Sequence, residues 1–491
     1  MRGCSSGRDV AAWELLWLAG LVGFYLVAGL FGDVAAQPLV NFVGPPWLAA
    51  VLVAGAIQVA RRNPFALWTG LFWMRLATAT YFGIGSVAEG LMNKVTHAEL
   101  MAFYDATEAE IAKFNLLAAS CSLVILSTVF AAARVWPQQA LPRKPAGNDR
   151  LMLVAAFLFG TVGFAVKYLF IFPKAMGALG EDTVLPGLLT QLVWLAPVAT
   201  FLATLWCLRN NPRWLALVLL FVAADAFAGL LRFSKADALL PVLMFGIAVL
   251  QHRFSLRRLF LAVALAVATF PFLQMATMDG RAQLADRYGT IHTASFAERL
   301  GILSDFAAHG PNERHDELQG SLLRIAYVHA AAPALSLFDS GQAGNSLTYL
   351  PYLLVPRVLW PDKPLFDMGR DYTILLTGSE TSSTWMGYFA EAYWNLGWAG
   401  VPLVMVPLGL IFFATGRYAF WTLTHGQWLH FPAVFLGMYM GARMDGLLAG
   451  DVGASLLTIA AVYPGATLLT AIVRDVGGGS SIRRARGAQA A

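Results

Sequence analysis

Glu391 most clearly suggests chemistry in this sequence, because it is a carboxylate inside an apolar stretch, where ionisable side chains are costly. Tyr388 and Asn395 share its helix face through three- and four-residue spacings. Arg417 follows Glu391 after 26 residues, which is about 39 Å of helix. The hydrocarbon core is only about 30 Å thick, so Glu391 is expected at the outer headgroup level. There it could act as a general base, although the aromatic residues around it also fit an interfacial belt.

Further ionisable side chains gather near the same set of segment ends. They are Lys167, Asp225, Arg232, Lys235, Asp237, Arg443, Asp445 and Asp451. Asp225 and Arg232 are seven residues apart and therefore lie on one helix face. The two could serve a site or simply neutralise each other, and Lys235 could extend its ammonium group to lipid headgroups. Preorganised cations at this level would suit a ligand that carries phosphate.

The passage LVPRVLWPDKPLFDMG, residues 354–369, is unusually polar for its surroundings. Its three prolines forbid a continuous helix, because each removes a backbone donor and restricts the preceding residue. Arg357 and Lys363 stand among these prolines. We expect the prolines to hold both cations rigidly, a geometry that simple anchoring to lipid phosphates would not require.

The composition identifies the class of protein that must position these residues. The 491-residue chain is 58% hydrophobic and only 13% charged, with a mean hydropathy of +0.61. Soluble domains carry about 25% charged residues, so we predict an all-α polytopic membrane protein. The three cysteines are scattered, which excludes a disulfide framework or zinc spacing. The net charge of +5 does not indicate nucleic acid, because the basic residues sort by membrane side.

Hydropathy predicts about 12 transmembrane helices. They cover residues 11–31, 47–60, 64–87, 114–133, 151–172, 186–208, 213–231, 236–250, 258–277, 385–416, 428–447 and 452–473. Basic residues occupy every second junction and both termini, among them Arg2, Arg8, Arg61, Arg62, Arg134, Arg143, Lys144, Arg150, Arg209, Arg213, Arg253, Arg257, Arg258, Arg417, Arg483, Arg484 and Arg486. The positive-inside rule therefore predicts that both termini are cytoplasmic.

These spans divide the chain into four parts. Residues 1–277 form an N-terminal membrane bundle of about nine spans, and residues 278–384 form one large extracytoplasmic loop domain with partly re-entrant or interfacial helices. Residues 385–473 hold about three further spans, and 474–491 form a basic cytoplasmic tail. A loop of this length is usually functional or disordered, and its Trp, Tyr, Leu and Pro content argues against disorder.

Several segments carry motifs. They are PRVLWPDKP at 356–364, STWMGYFAEAYWNLGWAG at 383–400 with its Glu391, Tyr393, Asn395, Gly397 and Gly400, FSKADALLPVL at 233–243, and Arg324 before Tyr327 and His329. Together they resemble the Wzy-type polymerases of bacterial O-antigen and exopolysaccharide repeat units, over roughly residues 225–450. The earlier part of the chain is similar only in hydropathy.

The resemblance implies a GT-C-like membrane glycosyltransferase in the bacterial inner membrane. Its substrate would be an undecaprenyl-diphosphate-linked oligosaccharide at the outer face, used without a metal or other cofactor. Its partners would be membrane lipids and, potentially, a chain-length regulator and a flippase, but no nucleic acid. The catalytic residues implied for this chain are Glu391, Arg357 and Arg232. The implied substrate-binding residues are Lys235, Arg324, Lys363, Arg443, Asp225, Tyr388, Asn395 and Asp445.

Two other functions remain open. An O-antigen ligase uses the same lipid-linked donor, and it would need a histidine of the large loop, which offers His309, His315 and His329. A lipid-linked oligosaccharide flippase or another transporter would place charges near the midplane and often show inverted repeats. The one-sided charges and the absence of a visible repeat favour the polymerase.

Overall fold

The computed structural model describes most of the chain. The described residues are 10–30, 33–92, 94–136, 149–179, 185, 187–288, 294–310, 325–353, 355, 360, 368–378 and 383–488. Every regular element in these ranges is helical. Arg324, Arg357, Lys363 and His315 lie outside the described residues.

The described part of residues 10–310 contains fourteen α-helices. They are α1 Ala12–Leu30, α2 Asp33–Arg62, α3 Gly70–Thr78, α4 Gly85–Gly90, α5 Lys94–Tyr104, α6 Glu108–Val135, α7 Asp149–Val166, α8 Phe172–Ala175, α9 Gly187–Leu192, α10 Leu195–Asn210, α11 Leu215–Leu231, α12 Lys235–His252, α13 Leu256–Tyr288 and α14 Phe296–His309.

The described residues beyond 310 continue the helical pattern. Their helices are α15 Val328–Ala331, α16 Pro333–Asp339, α17 Leu350–Leu353, α18 Met368–Thr377, α19 Gly387–Leu396, α20 Gly400–His425, α21 Phe431–Ala442 and α22 Gly453–Ala488. Short 3₁₀ turns cover Pro64–Trp68, Pro212–Trp214, Ser346–Tyr349, Gly397–Ala399 and Trp428–His430. In the described residues, π-helical turns cover Ala79–Ile84, Lys167–Ile171 and Leu448–Val452.

Ten helical segments of the described chain are long and apolar enough to cross a membrane, so this is an all-α, multi-pass membrane protein. They are Ala12–Leu30, Val40–Arg62, Glu108–Val135, Asp149–Ala175, Leu189–Asn210, Pro212–Leu231, Lys235–His252, Leu256–Arg287, Gly387–His425 and Leu448–Ile472. Two of the twelve predicted spans are not among them. Residues 64–87 are divided by 3₁₀ and π turns, and 428–447 contains only the short helix α21 after a 3₁₀ turn.

The chain forms two compact units that interleave along the sequence. Unit 1 contains residues 1–143, 321–421 and 436–457, and unit 2 contains 144–320, 422–435 and 458–491. Residues 278–384, predicted as one loop, are therefore shared between them. The structure describes helices α14 to α18 within this segment, and α13 extends into its start.

Unit 1 is built on the mutual packing of α1, α2 and α6. Its core contains a buried ion pair, in which Arg75 donates to both carboxylate oxygens of Glu14 at 2.6 and 2.9 Å. A Cβ at Gly55 would lie 2.4 Å from Glu14 Oε1, so only glycine leaves room for this pair. Removing one partner of such a pair would leave a buried charge uncompensated.

Contacts at the two ends of α6 show which elements lie at each end of unit 1. The backbone carbonyl of Trp136, just after α6, accepts a 2.6 Å hydrogen bond from Arg417 of α20. At the other end of α6, Lys113 pairs with Asp339, which also accepts a 2.9 Å hydrogen bond from the Tyr393 hydroxyl of α19. Helix α19 therefore lies at the end opposite Arg417, which places Glu391 at that opposite end.

Unit 2 is held by α7 against α10 and by α10, α11 and α12 against one another. Its α11–α12 hairpin is tight, since a Cβ at Gly229 would lie 2.4 Å from the Ala238 nitrogen. The buried Arg299 of α14 donates hydrogen bonds to the carbonyls of Ala175, Leu231 and Ala294 at 2.8, 3.3 and 3.1 Å. Ala175 and Leu231 end α8 and α11, so Arg299 satisfies helix-terminal carbonyls that lack helical partners.

Candidate functional site

Arg443 is the centre of a group of charged and aromatic side chains in unit 1. Its guanidinium lies 3.7 Å from Asp445 Oδ2 and 3.6 Å from Asp451 Oδ2. It also stands over the Trp385 ring, 5.2 Å from the ring centroid. The Arg443 side chain is 30% exposed, while both carboxylates are 13% exposed. We call Arg443, Asp445, Asp451 and Trp385 the Arg443 cluster.

Backbone contacts with α19 fix the loop that carries this cluster. Helix α21 ends at Ala442, and the Tyr388 N–H of α19 donates to the Met444 carbonyl at 3.2 Å. The buried Tyr388 hydroxyl donates to the Met440 carbonyl at 3.2 Å. Tyr388, predicted to bind substrate, is thus engaged in holding the loop. Because the loop rests on the start of α19, it lies at the end of unit 1 opposite Arg417.

Asp451 forms hydrogen bonds with the backbone of its own loop. Its Oδ2 accepts the Leu447 N–H at 3.1 Å, and its own N–H donates to the Leu447 carbonyl at 2.7 Å. A Cβ at Gly446 would lie 2.0 Å from Asp451 Oδ2, so the turn requires glycine there. Asp451 therefore shapes the loop and lies beside Arg443 as a fixed negative charge.

Asp445 is the carboxylate of the Arg443 cluster with spare bonding capacity. Its buried Oδ1 has no hydrogen-bond partner among the described residues, and Arg443 Nε is likewise without one there. Burial raises the pKa of Asp445, and the positive charge of Arg443 partly opposes this rise. A carboxylate with a raised pKa and an oxygen that no hydrogen-bond donor occupies is suited to accept a proton from a substrate hydroxyl.

Three hydrogen-bond donors surround the carboxylate of Glu391. It is fully buried and accepts hydrogen bonds from Ser346 Oγ at 2.7 Å, Leu448 N–H at 2.5 Å and Ala449 N–H at 3.4 Å. Asn395 shares the same face, as predicted, and donates to Ser346 Oγ at 2.8 Å. The three donors occupy the carboxylate, which caps the first turn of the last candidate span.

Trp385 is positioned by the end of the proline-rich passage. A Cβ at Gly369, its last residue, would lie 2.7 Å from Trp385 Cδ1 and 2.5 Å from Ser383 Oγ. Gly369 belongs to α18, so this helix presses its backbone against the half-buried Trp385 ring. Gly369 therefore lies directly beside the Arg443 cluster. The sequence suggests Trp385 only as part of an aromatic belt, because no local pattern marks its contact with Arg443.

Among the described residues, the predicted cations Lys167, Arg232 and Lys235 lie in unit 2. Lys167 pairs with Asp225 at 2.6 Å, and Arg232 pairs with Asp237 at 2.6 Å. Asp225 and Arg232, predicted to share a face, are thus each neutralised by a different partner. Lys235 donates to the Gln274 side chain. Both ion pairs line a cavity of about 280 Å³ within unit 2.

The described residues contain no group of three or more His, Cys, Asp or Glu side chains that could hold a metal ion. His309 is exposed and pairs with Asp305, whereas His329 is buried against Tyr104 with ring centroids 5.1 Å apart. Burial lowers the pKa of His329 to about 3, with a further lowering from His97. His329 is therefore neutral at physiological pH.

Comparison with known proteins finds no matching family model, no matching curated protein and no matching solved structure.

Proposed function

We propose that this protein polymerises lipid-linked oligosaccharide repeat units at the outer face of the bacterial inner membrane, as a glycosyltransferase of the GT-C-like kind. The Arg443 cluster is the observation that carries the proposal. It combines a partly exposed guanidinium, a carboxylate and an indole ring at one end of unit 1. One oxygen of that carboxylate, Asp445 Oδ1, has no hydrogen-bond partner among the described residues. On the topology predicted from the basic junctions, this end faces outward.

Arg443 is suited to a diphosphate leaving group. Its planar fork can donate to two phosphate oxygens at once, and its Nε–H makes no hydrogen bond within the described residues. Asp445 and Asp451 keep it charged and oriented before substrate binds. A preorganised cation in a water-poor site stabilises the charge that develops as the glycosyl–phosphate bond breaks.

Asp445 is the candidate general base in this proposal, in place of Glu391. A hydroxyl of the acceptor sugar attacks the anomeric carbon of the donor chain, forming the new glycosidic bond. The bond from that carbon to the diphosphate oxygen breaks, and undecaprenyl diphosphate leaves with the electron pair. Asp445 Oδ1 takes the hydroxyl proton. Glu391 is less suited to this step, because three hydrogen-bond donors already bind its carboxylate.

The predicted cations that lie outside the described residues keep a role in the proposal. Arg357, Lys363 and Arg324 are expected to add positive charge near the diphosphate. A chain-length regulator and a flippase are the expected protein partners. The O-antigen ligase alternative requires an essential histidine, and His329 is the loop histidine that the structure buries, with its Nδ1 unbonded among the described residues.

The test is the glycan phenotype of a deletion strain. Loss of the protein should leave single lipid-linked repeat units in the membrane and remove polymer from the cell surface. A ligase defect would instead accumulate complete lipid-linked polymer, and a flippase defect would retain repeat units at the cytoplasmic face. Either of these phenotypes would contradict the polymerase. Complementation by the wild type, but not by the Arg443→Ala variant at equal abundance, connects the phenotype to the cluster.

A further inference from the structure

The cavity of unit 2 lies among the ends of four candidate spans, two of which end there and two of which begin there. Asp225 is late in α11, Arg232 follows that helix, and Asp237 is in the first turn of α12. Lys167 begins the π-helical turn near the end of the candidate span Asp149–Ala175. Helix α11 starts shortly after Arg213, and α12 ends at His252, next to Arg253. The cavity is therefore at the end of this hairpin opposite Arg213 and Arg253. A π turn often marks a functional position within a helix.

The cavity is lined by two positive and two negative side chains, so these charges cancel. Two cations, Lys167 and Arg232, are each in contact with their own carboxylate, Asp225 and Asp237, at 2.6 Å. A phosphate or carboxylate ligand would have to approach two carboxylates in a partly dehydrated site, where like charges repel more strongly than in water. The two cations by themselves would suggest an anionic ligand. Because each cation already contacts a carboxylate, the cavity favours an uncharged ligand that both donates and accepts hydrogen bonds.

The hydrogen-bonding groups of the cavity suit a polyhydroxyl compound. The carboxylates can accept from hydroxyl groups, and the cations can donate to hydroxyl oxygens. The Nε–H of Arg232 is buried and unbonded among the described residues, so it offers a donor that the protein leaves unused. Leaving such a donor unsatisfied is costly, and a ligand oxygen would remove that cost.

The apolar wall suits the carbon face of a sugar ring. Trp194 and Pro241 line the cavity together with the charged pairs. A flat indole beside ion pairs provides one apolar surface and several directed polar groups, the usual composition of a small-molecule site. The volume of 280 Å³ is close to the lower limit of ligand pockets, which is roughly 300 Å³. It therefore fits a single ring and not a whole oligosaccharide.

The rim of the cavity is fixed before any ligand binds. Arg299 holds the carbonyls of Ala175 and Leu231, which flank the ends of the spans that carry Lys167 and Asp225. The Tyr168 hydroxyl adds a 2.5 Å hydrogen bond to Asp225 Oδ1. A preorganised site of this kind loses little conformational entropy on binding.

We infer that this cavity is a subsite for one uncharged sugar ring of the lipid-linked oligosaccharide. The identity of the ligand class rests on the proposed function, whereas the binding geometry is that of unit 2 alone. The ring lies against Trp194, its hydroxyl groups bond Asp225 and Asp237, and a ring or hydroxyl oxygen accepts from Arg232 Nε. Such a subsite would select the repeat unit by one of its residues.

The test measures binding to the full-length protein in lipid nanodiscs, prepared without glycoside detergents. Saturation-transfer NMR is recorded with the methyl glycosides of glucose, galactose, mannose and N-acetylglucosamine, and separately with glucuronate and inorganic pyrophosphate. At least one neutral glycoside should give a signal with the wild type. Leu240→Trp, which fills the cavity, should abolish it, while Leu217→Trp on the exposed face of α11 should not.

A second variant tests the stacking surface without changing any charge. Trp194→Leu should weaken the glycoside Kd at least about tenfold, as expected for removal of a Trp anchor. Trp214→Leu, at an exposed tryptophan of the same unit, is the matched control and should leave the Kd unchanged. Equal melting temperatures of the variants and wild type would establish that folding is intact, and Leu240→Phe replaces Leu240→Trp if that variant unfolds.

Three results would overturn the subsite: no neutral glycoside binds the wild type, pyrophosphate or glucuronate binds the cavity in its place, or the filled variant binds as well as the wild type. These results concern binding only. If the deletion strain lacks polymer while no glycoside binds, the subsite fails and the proposed polymerase stands. If a glycoside binds but the deletion strain makes normal polymer, the polymerase fails and the sugar site remains.

Discussion

The carboxylate of Glu391 accepts a 2.5 Å hydrogen bond from the backbone N–H of Leu448, a residue 57 positions later. Ser346 and Ala449 provide the other two donors, so one buried acid joins α19, the turn at Ser346–Tyr349 and the first turn of the last candidate span. This relationship gives a structural reason for a carboxylate that the sequence alone suggests is catalytic. It also directs attention to Asp445, whose Oδ1 is unbonded among the described residues.

Glu391→Gln and Glu391→Ala separate a structural role from a catalytic one. Glu391→Ala leaves two N–H groups and a hydroxyl without their acceptor, at about 1–3 kcal/mol for each unsatisfied buried group, so the melting temperature should fall. Glu391→Gln keeps one acceptor oxygen and should lose less stability. Polymerisation per folded Glu391→Gln molecule should remain near wild type. A loss of about a hundredfold or more in that rate would instead identify Glu391 as the base.

Arg443→Ala should lower the polymerisation rate by about 10²–10³-fold, the usual effect of removing one preorganised donor at a developing charge. Arg443→Lys keeps the charge but loses the planar fork, so it should recover only part of the rate. The assay is in vitro elongation of purified lipid-linked repeat units. Arg62→Ala, at an exposed arginine of the predicted cytoplasmic junction, is the matched control and should be fully active. Wild-type rates from Arg443→Ala would remove this residue from the site.

Asp445 predicts a specific pH dependence. Its raised pKa means that the base form is lost at a higher pH than for an ordinary aspartic acid, so activity should fall as pH drops through that pKa. Asp445→Asn should lower the rate by about 10²–10⁴-fold and eliminate this acid limb from the residual activity.

Stability responds to the same group in the opposite direction. Because the folded-state pKa of Asp445 is raised, its protonation favours the folded state, and this contribution is lost as pH rises through that pKa. The melting temperature of the wild type should therefore fall, relative to that of Asp445→Asn, as pH rises from the ordinary pKa of an aspartic acid through the raised pKa of Asp445. Parallel melting curves across this pH range would show that the carboxyl group is not buried as the structure has it.

Gly369→Ala tests the support that α18 gives to Trp385. The added methyl group would lie 2.7 Å from the indole, so the ring and the Arg443 guanidinium must shift. Misplacement by about 1 Å can cost about a hundredfold in rate, and we expect a loss of that order with little change in abundance. Gly301→Ala is the control, because nothing lies within 4 Å of the added methyl group in α14. Equal activity of the two variants would separate Trp385 from catalysis.

Single-cysteine labelling tests the topology on which the outward-facing site depends. The background replaces Cys4 and the buried Cys121 and Cys207. Gly310→Cys should react with an impermeant maleimide in intact cells, and Pro145→Cys should react only after permeabilisation. The reverse pattern would place the Arg443 cluster on the cytoplasmic side and contradict the proposed reaction.

Hydropathy and charge by themselves determined the membrane class and most of the spans, because burial in a bilayer depends on local composition. They also located Glu391 and Asn395 on one helix face, since a helix fixes its own periodicity. Two predicted spans, 64–87 and 428–447, differ in the structure because 3₁₀ and π turns interrupt the first and α21 is short. Apolar composition does not specify such interruptions.

Only the tertiary structure decided which charges are engaged. The sequence suggests that Asp225 and Arg232 could pair, whereas Lys167, 58 residues earlier, pairs with Asp225, and Asp237 pairs with Arg232. Asp445 and Asp451 look equivalent in the sequence, yet the Leu447 N–H binds only Asp451. Asp445 Oδ1 has no hydrogen-bond partner among the residues that the structure describes. A carboxylate's chemistry depends on the donors within about 3 Å of its oxygens, and distant parts of the chain or the local backbone path provide those donors.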